Sequence, residues 1–521
     1  MNTRKGIGYH ENNISDPAKV VSRDTLRLQH IDQGTTDGIQ RLFPVTEDEK
    51  ERRDALHFSV MPYIKRCIEG ENAYGGKALS LLITREERVT PSGLKILAGT
   101  TSCLKNFKFF RDKPYPLNDN TSLKEAILCS DHFQSIYTQL LCGFYQRHDV
   151  THVKSVFASS LVSVIHFLKR HYSELCSDIS SGSLSPKITD PSLRGRMIET
   201  FMQNPDPELA KFIQVTCSDE NWEGIYRKIW PNIKYLDAIS TGSMAQYILL
   251  LKYYTGGLPL LSTKYSASEC DLGFNLNPMC DPYDVSYTIM PNMSYYEFLP
   301  LDSSHFTSSD PKPLTVEMAD VEVGKEYEVV VTNFCGLYRY RIGDVLSPTR
   351  FFNSTPQFKF IRRKNVVLTI DICKLTEMEL QKGIDSVSSL LGQLDIIVVE
   401  YTSYANVKDG PGHCVIYMEL MVMSQANWPK PEVLEQCCQA MEGSLGQLYF
   451  STRVSGFIGP LEIRLVENGT FEKLRDYAIS KGVSFTQYKV PRCVKALDLL
   501  ELLNSGVVSI HFSSSFPTSG P

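Results

Sequence analysis

Strand-like and helix-like stretches alternate along most of this chain, and no internal repeat is found. That alternation restricts the fold more than any other feature. Residues 77–84 carry a short apolar run of strand length, and Pro91-Ser92-Gly93 follows as a turn. Residues 327–332 form a β-branched run, which Gly336 breaks before a second run at 337–342. Further strands are expected at 358–361, 366–370, 396–401, 413–423 and 461–466. Helical spacing covers most of 131–175, then 431–445 and 471–481. Strands interleaved with helices predict an α/β or mixed architecture rather than a solenoid.

At roughly 100–200 residues per domain, 521 residues allow two to four domains. The best break follows the basic cluster Arg362-Arg363-Lys364, after which one strand leads to Asp371-Ile372-Cys373-Lys374, read as opening an acidic helix. The expected division is a short lead-in over 1–33, a large body over 34–363, a hinge over 364–374 and a smaller domain over 375–521. The Ser-rich tail after Phe512 is expected to fray.

Charge and cysteine usage exclude several function classes. With 54 basic and 59 acidic residues the net charge is -5, and no basic and aromatic stripe stands out, so nucleic acid is not an expected partner. No run approaches the ~20 apolar residues of a membrane span. The longest candidate, 153–168, is interrupted by Lys154, Ser159, Ser160, Ser163 and His166. Its Val153, Val156, Phe157, Leu161, Val164, Ile165 and Leu168 fall at helical spacing, the mark of a buried amphipathic helix. Residues 1–13 are polar, without the apolar centre of a secretory signal. The 14 cysteines include no Cys-x-x-Cys pair, and the adjacent Cys437-Cys438 are poorly placed to bridge. A reduced cytoplasmic protein, acting as a monomer, is the expectation.

Weak motifs come first. His148 and His152, four apart, suit two metal ligands on a helix, but a surface pair fits as well and no third ligand stands out. Glu47, Asp48, Glu49 and Glu51 read as a solvated helix start. No Gly-x-Ser-x-Gly elbow or Walker loop occurs. Three segments carry more chemistry. In Gln33-Gly34-Thr35-Thr36-Asp37-Gly38, glycines and hydroxyls ahead of a helical stretch can wrap phosphate oxygens, though an ordinary turn has the same composition. Thr263-Lys264-Tyr265-Ser266-Ala267-Ser268-Glu269 follows an apolar stretch. Its small residues admit a nucleotide close to backbone, and its Glu can hold a divalent cation; a solvated polar loop is the alternative. Tyr338-Arg339-Tyr340-Arg341-Ile342-Gly343-Asp344 places a carboxylate at a strand tip, suited to ribose hydroxyls or to an ion-paired turn.

Taken in that order, with a basic hinge and a small domain following, these segments resemble the Gretchen Hagen 3 family of plant acyl-acid amido synthetases. That family is a branch of the adenylate-forming superfamily related to firefly luciferase. The likeness runs from Gly34 onward and includes Thr90-Pro91-Ser92-Gly93-Leu94, Gln139-Leu140-Leu141-Cys142-Gly143, Thr241-Gly242-Ser243-Met244-Ala245-Gln246-Tyr247, Asn333-Phe334-Cys335-Gly336-Leu337-Tyr338-Arg339 and Gln487-Tyr488-Lys489-Val490-Pro491-Arg492. It implies a luciferase-like two-domain α/β architecture, with a large N-terminal β/α body and a small mobile C-terminal α+β domain. It also implies a ligase using ATP and Mg2+, which adenylates a small carboxylic acid and passes the acyl group to an amino acid. By resemblance Gly34, Thr35 and Thr36 meet phosphate. Tyr265, Ser266, Ala267, Ser268, Glu269 and Tyr287 form the nucleotide site, with Glu269 on the metal. Asp344 holds the ribose, Lys374 reaches AMP from the hinge, and Lys489 arrives with the mobile domain. Thr241, Gly242, Ser243 and Met244 line the acid site.

Two departures qualify this. The family's first motif, Ser-Ser-Gly-Thr-Ser-x-Gly-x-x-Lys, stands here as Asp32-Gln33-Gly34-Thr35-Thr36-Asp37-Gly38-Ile39-Gln40-Arg41. Two carboxylates near the phosphates would lower ATP affinity. The lead-in is also shorter than the family's, as expected of a gene model that begins wrongly or of a lost part of the fold. A catalytically impaired relative that binds acid or nucleotide without turnover is therefore the competing expectation. Where benzoate-conjugating members carry an Arg, Val60 stands here, with His57 one turn earlier. That exchange suits an auxin-like or jasmonate-like acid over a benzoate, unless Val60 is simply core.

Overall fold

The computed structural model describes residues 9–10, 28–36, 39–70, 76–91, 93–106, 119–301, 315–364, 366–370, 373–407, 410–423, 427–483, 485 and 488–514. Most of the lead-in, Asp37, Gly38, Ser92, Asp371, Ile372, Gln487 and the tail over 515–521 lie outside the described residues. The chain forms two compact units, Met1–Ile361 and Arg362–Pro521.

The N-terminal unit is built on three sheets. A parallel sheet orders Lys77–Ser80, Val150–Phe157, Tyr235–Ile239 and Leu260–Leu261. Helices His132–Tyr145 and Ala158–Ser181 are its long connections, as parallel strands require. Residues 131–175 are mostly helical with a break, as expected, but the amphipathic helix expected over 153–168 fails in its first part. Val153, Val156 and Phe157 belong to a strand, and the helix starts only at Ala158. The strand's β-branched residues pair on both sides with parallel neighbours, and this pairing overrides a spacing that also fitted a helix. His148 and His152 are consequently not on a helix. His152 lies on that strand and stacks on Tyr235 with ring centroids 4.8 Å apart.

A second sheet pairs the hairpin Leu28–Thr36 and Ile39–Thr46 with Lys95–Ala98 and Arg88–Val89. The Gly34-Thr35-Thr36 segment therefore ends a strand, with Thr36 opposite Ile39, rather than opening a helix. The helix, Glu47–Glu69, begins one strand later, where the Thr46 hydroxyl accepts from the Glu49 amide at 3.2 Å. Its acidic first turn is not simply solvated. Glu49 is fully buried and takes a 3.1 Å bond from Arg53 Nε. Leu56, Val60, Ile64 and Ile68, spaced by four along this helix, pack with Phe274 and Met293.

The third sheet has eight strands, in the order Lys264–Ser266, Asp271–Phe274, Tyr287–Ile289, Thr355–Arg363, Tyr340–Phe352, Tyr327–Thr332, Tyr295–Pro300 and Val316–Glu317. Tyr340–Phe352 does not stop at Gly343-Asp344, as expected of a strand tip. Its pairing jumps from Val330↔Arg341 to Glu328↔Val345, so residues 342–344 bulge out of the ladder, with Gly343 at φ +86°. Only glycine takes that conformation without strain.

The C-terminal unit centres on a four-stranded sheet, Ile396–Asn406, His413–Val422, Glu462–Val466 and Val507–Phe512. Along His413–Val422 the residues Cys414, Ile416, Met418 and Leu420 enter one core, with helices Glu377–Gly392, Pro431–Gly443 and Gln447–Val454. Val415 and Tyr417 enter another, with helices Thr470–Ser480 and Leu497–Ser505. A strand buried on both faces accounts for the apolar run over 414–418. Lys374 does not open a helix. It lies on strand Cys373–Thr376, paired with Val366–Ile370, and the helix begins at Glu377 behind a Thr376–Glu379 capping box. Among the described cysteines none is bridged, and most are buried. No helix among the described residues is long and apolar enough to cross a membrane.

Candidate active site

The bulge at 342–344 presents Asp344, 2% exposed, to the hairpin formed by Lys264–Ser266 and Asp271–Phe274. The Tyr265 hydroxyl donates to Asp344 Oδ2 at 2.6 Å. Its ring lies 5.4 Å from that of Tyr287 and edge-on to Phe360. The Tyr287 hydroxyl shares hydrogen bonds with Ser262 Oγ at 2.7 Å and Thr241 Oγ1 at 3.2 Å. This links the predicted nucleotide loop to the Thr241-Gly242-Ser243-Met244 turn that follows strand Tyr235–Ile239. Burial pushes the Tyr287 phenol up to about 12, so it remains protonated as a donor. Gly242, at φ +63°, has no room for a side chain, because a Cβ there would stand 2.8 Å from Phe360 Cε1. Met244 is buried, while Thr241, Gly242 and Ser243 are partly exposed.

The turn of the hairpin carries Ser266, Ala267, Ser268 and Glu269. Ser266 is exposed, Ala267 and Ser268 half-buried, and Glu269 buried. The Glu269 carbonyl accepts from Asn333 Nδ2 at 2.8 Å. Asn333 Oδ1 also receives the Cys335 and Leu337 amides at 3.0 and 3.1 Å, so one amide side chain ties the second and third motifs together. Sequence reasoning quoted Asn333 but gave it no task. It also passed over Asp271, which takes bonds from Lys264 Nζ at 2.8 Å and Ser266 Oγ at 2.7 Å. Burial alone would raise that carboxyl, but Lys264, Arg53 and these hydrogen bonds hold it at about 2. The hairpin alternation, which puts Lys264 and Ser266 on one face, was the available signal.

His57 sits beside this charge cluster on helix Glu47–Glu69. Burial, then the charges of Lys154 and Lys264, lower its imidazole to about 4, so it is neutral at pH 7. Val60, three residues on, is half-buried in the stripe that packs on Phe274. Gly34, Thr35 and Thr36 close the hairpin strand of the second sheet. In the C-terminal unit, Lys374 and Lys489 are both exposed.

The chain and its fold match known proteins. Family models for the GH3 N-terminal, central and C-terminal domains cover residues 19–260, 287–363 and 378–498. The chain belongs to the GH3 family. Among its GH3 relatives, indole-3-acetic acid-amido synthetase GH3.3 of Arabidopsis thaliana is 51% identical over 490 residues, which is 94% of this chain and 81% of that protein. Indole-3-acetic acid-amido synthetase GH3.8 of Oryza sativa subsp. indica is 49% identical, over 93% of this chain and 80% of that one. The solved structure of AtGH3.15 acyl acid amido synthetase in complex with 2,4-DB superposes at TM-score 0.86 with 39% identity, covering 95% of this chain and 84% of that GH3 chain. The α/β architecture expected from the resemblance, a large N-terminal body with a smaller C-terminal domain, is thus the fold found.

Proposed function

We propose that this GH3 protein is an ATP-dependent ligase that adenylates an auxin-type carboxylic acid and joins it to an amino acid. The observation that carries the proposal is the buried Tyr265–Asp344 hydrogen bond. It supplies a carboxylate already oriented to accept from vicinal ribose hydroxyls, in a chain about half identical to amido synthetases of indole-3-acetic acid.

In the first step the acid's carboxylate oxygen attacks the α-phosphorus and pyrophosphate leaves. In the second the amine attacks the acyl carbon, forming the amide and releasing AMP. Asp344 and Tyr265 fix the nucleoside, and the hairpin end at Gly34, Thr35 and Thr36 offers backbone amides to the phosphates. Glu269 suits magnesium carried by a nucleotide, which needs one or two carboxylates rather than a protein cage. This fits the lack of any three-ligand cluster among the described residues. Bound magnesium would neutralise phosphate charge. Thr241, Gly242, Ser243 and Met244, with His57 and Val60, form the acid's surroundings. A neutral His57 and an aliphatic Val60 favour an indole-type body over one anchored by charge, and so over benzoate-type acids. Lys374 and Lys489 supply mobile positive charge to AMP and the acyl group. The setting proposed is the cytoplasm, where ATP and reduced thiols occur together, and the working form is a monomer.

Asp32 and Asp37 in the first motif favour a second reading, binding without turnover. Pyrophosphate exchange with ATP, Mg2+ and a panel of indole, jasmonate-type and benzoic acids separates the two. Exchange is expected, fastest with indole acids. No exchange with any acid, in folded protein that still binds nucleotide, would establish the second reading instead.

A further inference from the structure

Lys489 has no helix or strand to hold it. Burial alternates along residues 488–494, with Val490, Arg492 and Val494 buried and Lys489 exposed between the partly buried Tyr488 and the buried Val490. In such a segment the side-chain period is two, so a slip of one residue would bury the lysine and expose its neighbours. What fixes the register is a set of bonds to strand Ile396–Asn406. The Ser403 amide donates to Arg492 O at 2.9 Å, and the Val494 amide donates to Ser403 O at 2.8 Å. The Thr402 hydroxyl donates to Pro491 O. At the centre, Arg492 Nη1 reaches both Glu400 Oε1 at 2.9 Å and Tyr401 O at 2.8 Å, with its guanidinium 4.4 Å from the Tyr401 ring centroid. Arg492 and Glu400 are 7% and 5% exposed.

Burying such a pair brings little net stability, since its attraction is largely offset by desolvation of both ions. Its use is better sought in register. Glu400 stands opposite Glu419 in the strand pairing, and Glu419 spends its oxygens on the Gly469 and Phe471 amides at 2.9 and 3.1 Å. Arg492 thus supplies positive charge at bonding distance to Glu400 in one register of the segment, the register that leaves Lys489 outward.

We propose that the Glu400–Arg492 pair is the positioning device for Lys489, acting on the reaction through that lysine. This rests on the catalytic reading of Lys489 given above. The unit contains its own control. Arg453 and Glu442 form a second buried pair at 2.7 Å, between helices Pro431–Gly443 and Gln447–Val454.

The test measures pyrophosphate exchange and the reaction of preformed acyl-adenylate with amino acid, in the full-length chain. Variants are Lys489→Ala, Arg492→Met, their combination, Arg492→Lys and Arg453→Met. Arg492→Met is expected to reproduce the Lys489→Ala loss in kcat, half-reaction by half-reaction. The loss expected is on the order of 100-fold, which misplacement by about 1 Å produces. In the Lys489→Ala background it should cause no further loss, because the two act as one unit. Arg492→Lys should recover part of the rate, and Arg453→Met should leave both half-reactions unchanged. Should Arg492→Met fail to fold, Arg492→Lys carries the same cycle with a smaller loss. Additive losses in the double variant, an unimpaired Arg492→Met, or an equal loss in Arg453→Met overturn the proposal while leaving Lys489 in its role. An unimpaired Lys489→Ala overturns that role and the proposal together.

Discussion

In the N-terminal unit the buried Asp344 carboxylate meets a phenol, and His57 and His152 are held neutral, whereas in the C-terminal unit the buried Glu400 and Glu442 each meet an arginine. A hydroxyl orients a carboxylate without cancelling its charge. A guanidinium at bonding distance cancels it. The first arrangement leaves its charge uncancelled, as the proposed nucleotide site requires, and the second has committed its charges to architecture. The C-terminal unit keeps Lys374 and Lys489, the two cations proposed above for catalysis, exposed.

The sharpest way to break this contrast is Asp344→Ala. Pyrophosphate exchange should fall on the order of 100- to 1000-fold, the scale of losing a preorganised polar contact to the reacting nucleotide. Exchange near the wild-type rate would mean that Asp344 is as structural as Glu442. Tyr265→Phe keeps the ring and removes the donor, so exchange should fall about tenfold, as for one hydrogen bond to a charged group. A variant as fast as wild type would show that the phenol does not orient the carboxylate.

Two smaller effects concern pH, and they run in opposite directions. Burial, then nearby Lys154 and Lys65, lowers His152 to about 3, well under the usual value of 6.5. The unfolded chain therefore binds the proton first, and this contribution to stability is lost as pH falls from 6.5 toward 3. His152→Phe should retain the stacking on Tyr235 and lose less thermal stability between pH 7 and 4 than wild type, by about 2 °C or more in Tm. Glu419 behaves conversely. Burial raises its carboxyl to about 7 despite the Gly469 and Phe471 amides, with Glu472 and Glu400 adding to the rise. The folded state holds this proton more tightly, so the contribution is full below the ordinary carboxyl value of 4.5 and is lost as pH rises through 7. Glu419→Gln should flatten that alkaline slope in Tm between pH 5 and 8 by about a degree or two. Equal slopes in variant and wild type would show that Glu419 does not carry the effect.

How much of this was legible beforehand depended on how local the deciding contacts are. Strands 327–332 and 366–370 match their β-branched runs, because composition over five or six residues decides them. Residues 153–157 were misread because the same apolar positions fit both periods, and the deciding strands, Lys77–Ser80 and Tyr235–Ile239, are remote in sequence. The helix start misplaced at Lys374 was recoverable, since Thr376-x-x-Glu379 is a capping-box signature. In the candidate site, Ser266, Glu269 and Asp344 stood out as motif residues. That Tyr265 would bond Asp344 across 79 positions had no local signal.

The thiol distribution gives the chain a clock. Among the described cysteines Cys67 is exposed and Cys280 and Cys493 are intermediate, while the others are buried. Burial lifts Cys142, Cys217 and Cys438 to about 12, far from the reactive thiolate form. Among the described cysteines, a maleimide added to native protein meets Cys67 first. Alkylation of the buried thiols is timed by the opening of the core around each, so mass spectrometry of the labelled peptides would show which unit opens first.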